Sequence, residues 1–176
     1  MFKHVSSLSL LLLPFLHVSA QKYHNEIVLN AQASIGSDET RPCLGGFVEG
    51  LYGIGKSAQL SLTVGMFIFH GQARFKPNVV TQIIPLQIGY KQNFKKFFLQ
   101  PQAGFGGLNG KIQKNGDVSR PSVGALFYGF KLGGDFKKFK FGISFQQTNA
   151  VRSGSPQIWD NKKFNYSGIY VGYSIL

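Results

Sequence analysis

The chain has 176 residues, one cysteine and a formal net charge of +12, with 19 Lys and Arg residues against 7 Asp and Glu. A single cysteine excludes an internal disulfide, and no segment after the first 20 residues is apolar for long enough to cross a bilayer as a helix. A basic chain raises nucleic acid as a partner. Here the lysines fall in short turns and the chain begins with an export signal, so no nucleic acid partner is expected.

The N-terminus has the pattern of a cleavable signal peptide. Lys3 gives a short positive start, residues 8–16 form an apolar run, and residues 18–20 are small enough for cleavage before position 21. The apolar run is too short to cross a bilayer, which argues against the alternative of an uncleaved anchor. The sequence therefore predicts a signal peptide over 1–20 and one mature domain over 21–176.

Apolar residues recur with a period of two through the mature chain, which predicts strands with one apolar face. The stretch from Phe139 to Gln146 shows this most clearly, because Phe139, Phe141, Ile143 and Phe145 alternate with small or polar residues. Including that stretch, eight strands are predicted, most about ten residues long, which suits a tilted strand crossing a bilayer. The other seven are Glu26 to Gly36, Cys43 to Ile54, Gln59 to Phe69, Val80 to Lys91, Phe97 to Leu108, Ser122 to Gly133 and Asn165 to Ile175.

The predicted connections alternate in length, as they do in membrane barrels with short periplasmic turns and longer outer loops. The short ones follow the second, fourth and sixth strands, at Gly55 to Ala58, Gln92 to Lys96 and Gly134 to Lys138. The longer ones are Ser37 to Pro42, His70 to Val79, Asn109 to Pro121 and Asn149 to Phe164. We therefore expect an all-β, eight-stranded antiparallel up-and-down transmembrane β-barrel.

The composition of the polar face indicates which side of each strand meets lipid. It carries mainly Gly, Ser, Thr and Gln, as at Gln59, Ser61 and Thr63, whereas a surface facing water usually carries more Lys and Glu. The alternative, a soluble barrel with its apolar face inside, is disfavoured for that reason. Aromatic residues also fall on the apolar face near the short turns or the C-terminus, where an interfacial girdle belongs. The predicted girdle is Tyr52, Tyr90, Phe97, Phe139 and Tyr173.

Four charged residues have the parity of the polar face, and they define a candidate polar network inside the barrel. They are Glu49, Lys91, Lys131 and Lys140. A lone buried carboxylate is costly, so Glu49 is expected to be paired with a lysine or with several hydrogen-bond donors.

Several features resemble the small outer-membrane β-barrel proteins common in Bacteroidetes, which include porin-like barrels. They are the export signal, the Gly-aromatic-Lys strand ends, the two Phe-Lys-Lys-Phe turns at 94–97 and 136–139, and the C-terminal segment 168–176. The resemblance implies insertion by the barrel-assembly machinery. Such barrels usually end in Tyr-x-Phe, whereas here Tyr173 and Ile175 are followed by Leu176.

Two motifs suggest other activities and fail their structural tests. Residues 50–57 match the phosphate-loop pattern GxxxxGK[ST], but a strand rather than a helix is predicted next, so nucleotide binding is not expected. A lipid-modifying enzyme would need a His, Ser and acid cluster near the outer leaflet, and His70 has no such partners at matching height. No catalytic residue, metal site or cofactor is predicted.

The sequence thus predicts an exported protein of the bacterial outer membrane, with a structural or surface-interaction role and no general diffusion pore. The alternatives are binding or transport of a small ligand through the barrel and, second, an outer-membrane lipid-modifying enzyme. Membrane lipids are the expected partners. Cations of the long loops are candidates for holding lipopolysaccharide phosphates, and the alternative for them is ordinary solvated loop charge, which is the default for exposed charge. These cations are Arg74, Lys76, Lys111, Lys114, Arg120, Arg152, Lys162 and Lys163.

Overall fold

The structure is a computed structural model that describes residues 25–36, 42–54, 56–69, 78–114, 117–119, 122–150 and 163–175. The predicted signal peptide lies outside these residues. The described residues form nine strands and no helix. They are β1 (Glu26–Gly36), β2 (Pro42–Gly53), β3 (Ala58–Phe69), β4 (Asn78–Phe94), β5 (Phe97–Lys114), β6 (Asp117–Ser119), β7 (Ser122–Phe136), β8 (Phe139–Ala150) and β9 (Lys163–Ser174).

The strands form one closed antiparallel barrel. The hydrogen-bonded order is β4-β3-β2-β1-β9-β8-β7-β5-β6, and an additional pairing of β4 with β5 closes the ring. The three-residue β6 pairs with β5 and stands outside this closure. Eight long strands therefore build the wall, with the first and last strands paired along Val28 to Gly36. The predicted eight-stranded up-and-down barrel is confirmed.

Most strands extend further than the sequence pattern suggested, and β4 and β5 extend the most. β4 begins at Asn78 and ends at Phe94, beyond the predicted bounds Val80 and Lys91. β5 continues to Lys114, so part of the connection predicted as a loop from Asn109 to Pro121 is paired strand. Backbone pairing continues past the point where the apolar face ends, because hydrogen bonds between strands do not depend on side-chain alternation.

The apolar face of every wall strand points outward, as predicted. Ile88 and Ile169 are each 67% exposed, and Leu44 on β2 is 57% exposed. The interior face instead holds buried polar side chains such as Gln87 and Ser144. Among the described residues, no helix is long and apolar enough to cross a membrane.

The interior is not uniformly polar: the predicted polar residues Gln59, Ser61 and Thr63 are buried in the lumen, but a set of apolar side chains that the pattern did not predict also lines it. The half nearer the long connections contains a buried apolar cluster, the apolar layer. Apolar residues occupy both faces of these strand segments, which hides the alternation of apolar and polar residues there. The layer comprises Cys43, Phe47, Phe67, Ile83, Leu108, Val123, Ala125, Phe127 and Tyr166.

Candidate functional site

The middle of the barrel holds one carboxylate surrounded by donors from several strands, the central carboxylate site. The Lys131 Nζ lies 3.3 Å from each carboxylate oxygen of Glu49. Asn30 Nδ2 donates to Oε2 at 3.0 Å, while Thr63 Oγ1 and Gln100 Nε2 donate to Oε1 at 3.1 and 2.5 Å. These donors come from β1, β3, β5 and β7, so one side chain of β2 connects several strands across the lumen.

The central carboxylate site is enclosed, since the side chains of Glu49 and Lys131 are each only 4% exposed. Burial of two ions costs several kcal/mol per ion unless close pairing and additional hydrogen bonds offset that penalty. Here both oxygens of Glu49 accept several hydrogen bonds, and Lys131 also lies 5.6 Å from the ring centroid of Tyr170. Hydrogen bonds to both oxygens of Glu49 therefore hold the facing strands of the barrel together across the lumen at this height.

A second group of charges, the end network, lies near the short turns. Asp135 accepts a hydrogen bond from Lys91 at 2.7 Å and another from Lys140 at 3.2 Å. Lys140 also lies 2.7 Å from Glu26, which accepts hydrogen bonds from Gln59 and Ser174. The carboxylates are partly accessible, with Asp135 26% and Glu26 21% exposed.

The four predicted interior charges thus divide between two groups. The structure places Lys131 against Glu49, whereas Lys91 and Lys140 both contact Asp135. The sequence pattern predicts a connection between strands at Asp135 and no role for Glu26. Both lie on the interior face of their strands. Asp135 follows the buried Lys131 by four residues in β7, and Glu26 precedes the buried Val28 by two residues in β1. Extending the alternation to the strand ends would have found both partners.

Above the central carboxylate site, aromatic rings fill the lumen. Phe67 packs edge-on against Phe47 and Tyr166, with ring centroids 4.7 and 5.0 Å apart. The hydroxyl of Tyr166 donates to Gln146 Oε1 at 2.6 Å. Edge-to-face pairs at this spacing are favourable, and a buried Tyr usually finds such a partner. This part of the lumen is consequently packed with side chains.

The predicted girdle residues lie on the outer face near the short turns. The strand register puts Tyr52 opposite Leu60, and Leu60 opposite Tyr90. Phe139 pairs with Tyr173, and their ring centroids are 5.2 Å apart. Of the five, Tyr90 is half-buried and the others are exposed, including Phe97 at the start of β5.

The remaining motifs carry no binding geometry in the described part of the chain. The phosphate-loop match runs from β2 to the connection before β3, which begins at Ala58. Within the described ranges, no group of three or more His, Cys, Asp or Glu residues could hold a metal ion. His70 lies outside the described residues, and so do Arg74, Lys76, Arg120, Arg152 and Lys162. Lys111 and Lys114 were predicted in a loop but lie in β5, and Lys163 is exposed at the start of β9.

No protein-family model and no curated protein matches this chain. Its fold is similar to the N-terminal β-barrel domain of Pseudomonas aeruginosa OprF, with a TM-score of 0.63, 16% identity, and coverage of 88% of this chain and 100% of that one. It is also similar to Ail, the attachment invasion locus protein of Yersinia pestis, with a TM-score of 0.61, 14% identity, and coverage of 89% and 100%. Neisserial surface protein A gives a TM-score of 0.57 and 6% identity, with coverage of 87% and 99%. At these identities the likeness shows the fold.

Proposed function

We propose that this protein is an integral barrel of the bacterial outer membrane, that its lumen is closed to general diffusion, and that its role is structural or one of surface interaction. The barrel-assembly machinery would insert it after export. The outward apolar face carries the proposal. Exposed apolar side chains are found on all eight wall strands, and a soluble barrel of this size would leave that whole surface in water.

The closure of the lumen supports the absence of a diffusion pore. An eight-stranded barrel has an interior just wide enough for its own side chains. In this barrel, the lumen carries the apolar layer toward the long connections, the central carboxylate site in the middle, and the end network beyond it. Phe67 and Phe127, each at most 1% exposed, fill the lumen on the side of the long connections.

The charge of the chain supports a surface interaction with polyanions. The net charge of +12 and the basic residues of the long connections suit the phosphates of lipopolysaccharide. A structural neighbour gives the same chemistry a precedent, since Ail has also been determined in complex with the heparin analogue sucrose octasulfate. We infer that the long connections of this chain contact anionic groups at the cell surface.

Membrane fractionation tests the location. The protein should sediment with the outer membrane, resist extraction by salt or carbonate, and migrate at a different apparent size when it is left unheated in detergent. Recovery as a soluble periplasmic protein would contradict the proposal.

Conductance across planar bilayers tests closure. The folded protein should give no stable ohmic channels under conditions in which a large porin conducts. A matched variant, Phe67→Ala with Phe127→Ala, removes two rings from the apolar layer and should increase any residual conductance. Steady, large conductance from the wild-type protein would favour the alternative of transport through the barrel.

A further inference from the structure

Two of the short turns share a sequence and an unusual backbone conformation. Both read Phe-Lys-Lys-Phe, at 94–97 between β4 and β5 and at 136–139 between β7 and β8. The first lysine of each turn has a positive φ, 60° at Lys95 and 59° at Lys137. Glycine is the usual residue at the first central position of a hairpin turn with this pattern, because a Cβ disfavours positive φ. The chain therefore carries lysine twice where the backbone favours glycine, which points to a use for the side chain.

Backbone hydrogen bonds hold these two turns, the lysine turns, in fixed positions. The carbonyl of Lys96 accepts from the amide of Asp135 at 2.8 Å, and the carbonyl of Lys138 accepts from the amide of Ser174 at 2.7 Å. Each turn is thereby tied to the next strand around the barrel. Since β5 pairs with β7, the two turns are neighbours, and their four exposed lysines lie along one arc of the rim.

Aromatic rings stand beside these lysines on the outer wall. Phe94 and Phe97 are 58% and 66% exposed, and Phe136 and Phe139 are 51% and 49% exposed. All four flank the lysines directly, so each turn presents cations at the rim and apolar rings on the face that carries the exposed apolar belt. A small inorganic anion would bind to the lysines alone and would not use these rings, whereas a ligand with an anionic group and an apolar part would contact both.

We propose that the lysine turns bind the phosphodiester headgroups of anionic phospholipids in the leaflet that they face. The lysines would contact the phosphate while the phenylalanine rings pack against the glycerol and upper acyl region, as aromatic residues do at membrane interfaces. This inference rests on the proposed membrane location and goes beyond it by assigning a lipid class to one side of the barrel.

The turn conformation provides an unusually clean test. In Lys95→Gly with Lys137→Gly, two charges are lost at positions where glycine fits the backbone better, so the variant should fold at least as well as the wild type. Both proteins are inserted into bilayers of equal parts phosphatidylglycerol and phosphatidylcholine, and the lipids retained are counted by native mass spectrometry. At about 1 kcal/mol per lysine near a charged surface, the preference for phosphatidylglycerol should fall roughly five- to thirtyfold.

A matched control removes the same charge elsewhere. Lys56→Gly eliminates one exposed lysine of another short turn and, compared with Lys95→Gly alone, should leave most of the preference in place. An equal loss in both variants, or no preference in the wild type, would overturn the inference while leaving the membrane location intact. Displacement of phosphatidylglycerol by excess inorganic phosphate would show a general anion site and overturn the assignment to lipid. Failure to insert into any bilayer would instead overturn the proposed function on which the inference depends.

Discussion

The two halves of the lumen are filled by different kinds of side chain. Toward the long connections the lumen is filled by aromatic and aliphatic side chains, with Phe67 entirely buried. Toward the short turns ion pairs and amides are packed together with the buried side chains of Val28, Leu51, Phe98 and Tyr170, and Glu49 and Lys131 are buried at the upper limit of this half. A barrel in lipid keeps its apolar belt outside, so the apolar layer fills only part of the lumen and polar and charged side chains fill much of the rest.

The comparison indicates different consequences of substitution in each half. Loss of atoms from the apolar layer opens a cavity, and its cost depends on how far the neighbours can collapse. Loss of one partner from the central carboxylate site leaves an uncompensated charge, and its cost depends on how much water can reach that charge. The end network lies between these cases, because its carboxylates are partly accessible at the rim.

The largest effect is expected at the central carboxylate site. Glu49→Leu strands the ammonium of Lys131, and removal of one partner from a buried pair typically costs about 3–5 kcal/mol. The free energy of unfolding in a urea series with lipid vesicles measures this. The double variant Glu49→Leu with Lys131→Met removes both charges and should recover much of the loss. A neutral single variant would mean that the carboxylate is hydrated.

In the apolar layer, Phe67→Ala should cost about 3 kcal/mol or more, from lost burial and the cavity between Phe47 and Tyr166. The matched control is Phe105→Ala on the outer face, where lipid chains can fill the space that the ring leaves. Its cost in the same urea series should be clearly smaller. Equal costs at both positions would contradict the difference between lumen and outer wall.

A smaller effect is expected in the end network. Lys91→Met removes one cation, but Asp135 retains Lys140 at 3.2 Å and is partly accessible to solvent. Because Lys91 is itself buried, the loss should be roughly 1–3 kcal/mol, between the values for exposed and for buried pairs, and it should shrink as salt rises. A salt-independent loss comparable with that of Glu49→Leu would show that the end network is as enclosed as the centre.

The smallest expected change is a gain. Lys95→Gly relieves a positive φ at a turn and should raise the free energy of unfolding by about 1 kcal/mol or less. Lys96→Gly serves as the comparison, because Lys96 does not share the positive φ and glycine there only adds freedom to the unfolded chain. If both substitutions destabilise equally, the strain at Lys95 is not significant.

Much of the fold followed from the sequence because alternation and connection length are local properties. On β8, for example, the alternation predicts Phe139, Phe141, Ile143 and Phe145 on the apolar face, and all four are exposed in the structure. The attribution to the Bacteroidetes family, the signal peptide and the girdle stay predictions. The apolar layer was missed because segments such as 66–69 are apolar on both faces, so alternation there is lost and the lumen side cannot be recognised.

The pairing of charges could be predicted only in part. A lone buried Glu49 implies donors, but the choice among Lys91, Lys131 and Lys140 depends on the stagger of strands around the barrel. Asp135 belonged to a connection in the sequence analysis, and it enters the lumen because β7 continues to Phe136. Such contacts between residues far apart in sequence depend on how the strands are staggered when the barrel closes, and the local sequence pattern does not contain that information.

Cysteine labelling in bilayers tests the central claim most directly, namely that the apolar face meets lipid and the polar face lines the lumen. In a Cys43→Ser background, single cysteines are placed on β8 at Phe141 and Ile143, which point outward, and at Ser144 and Gln146, which are buried in the lumen. A lipid-soluble thiol probe should modify the first pair and spare the second. Modification of positions 144 and 146 with protection of 141 and 143 would turn the barrel inside out and remove the membrane assignment.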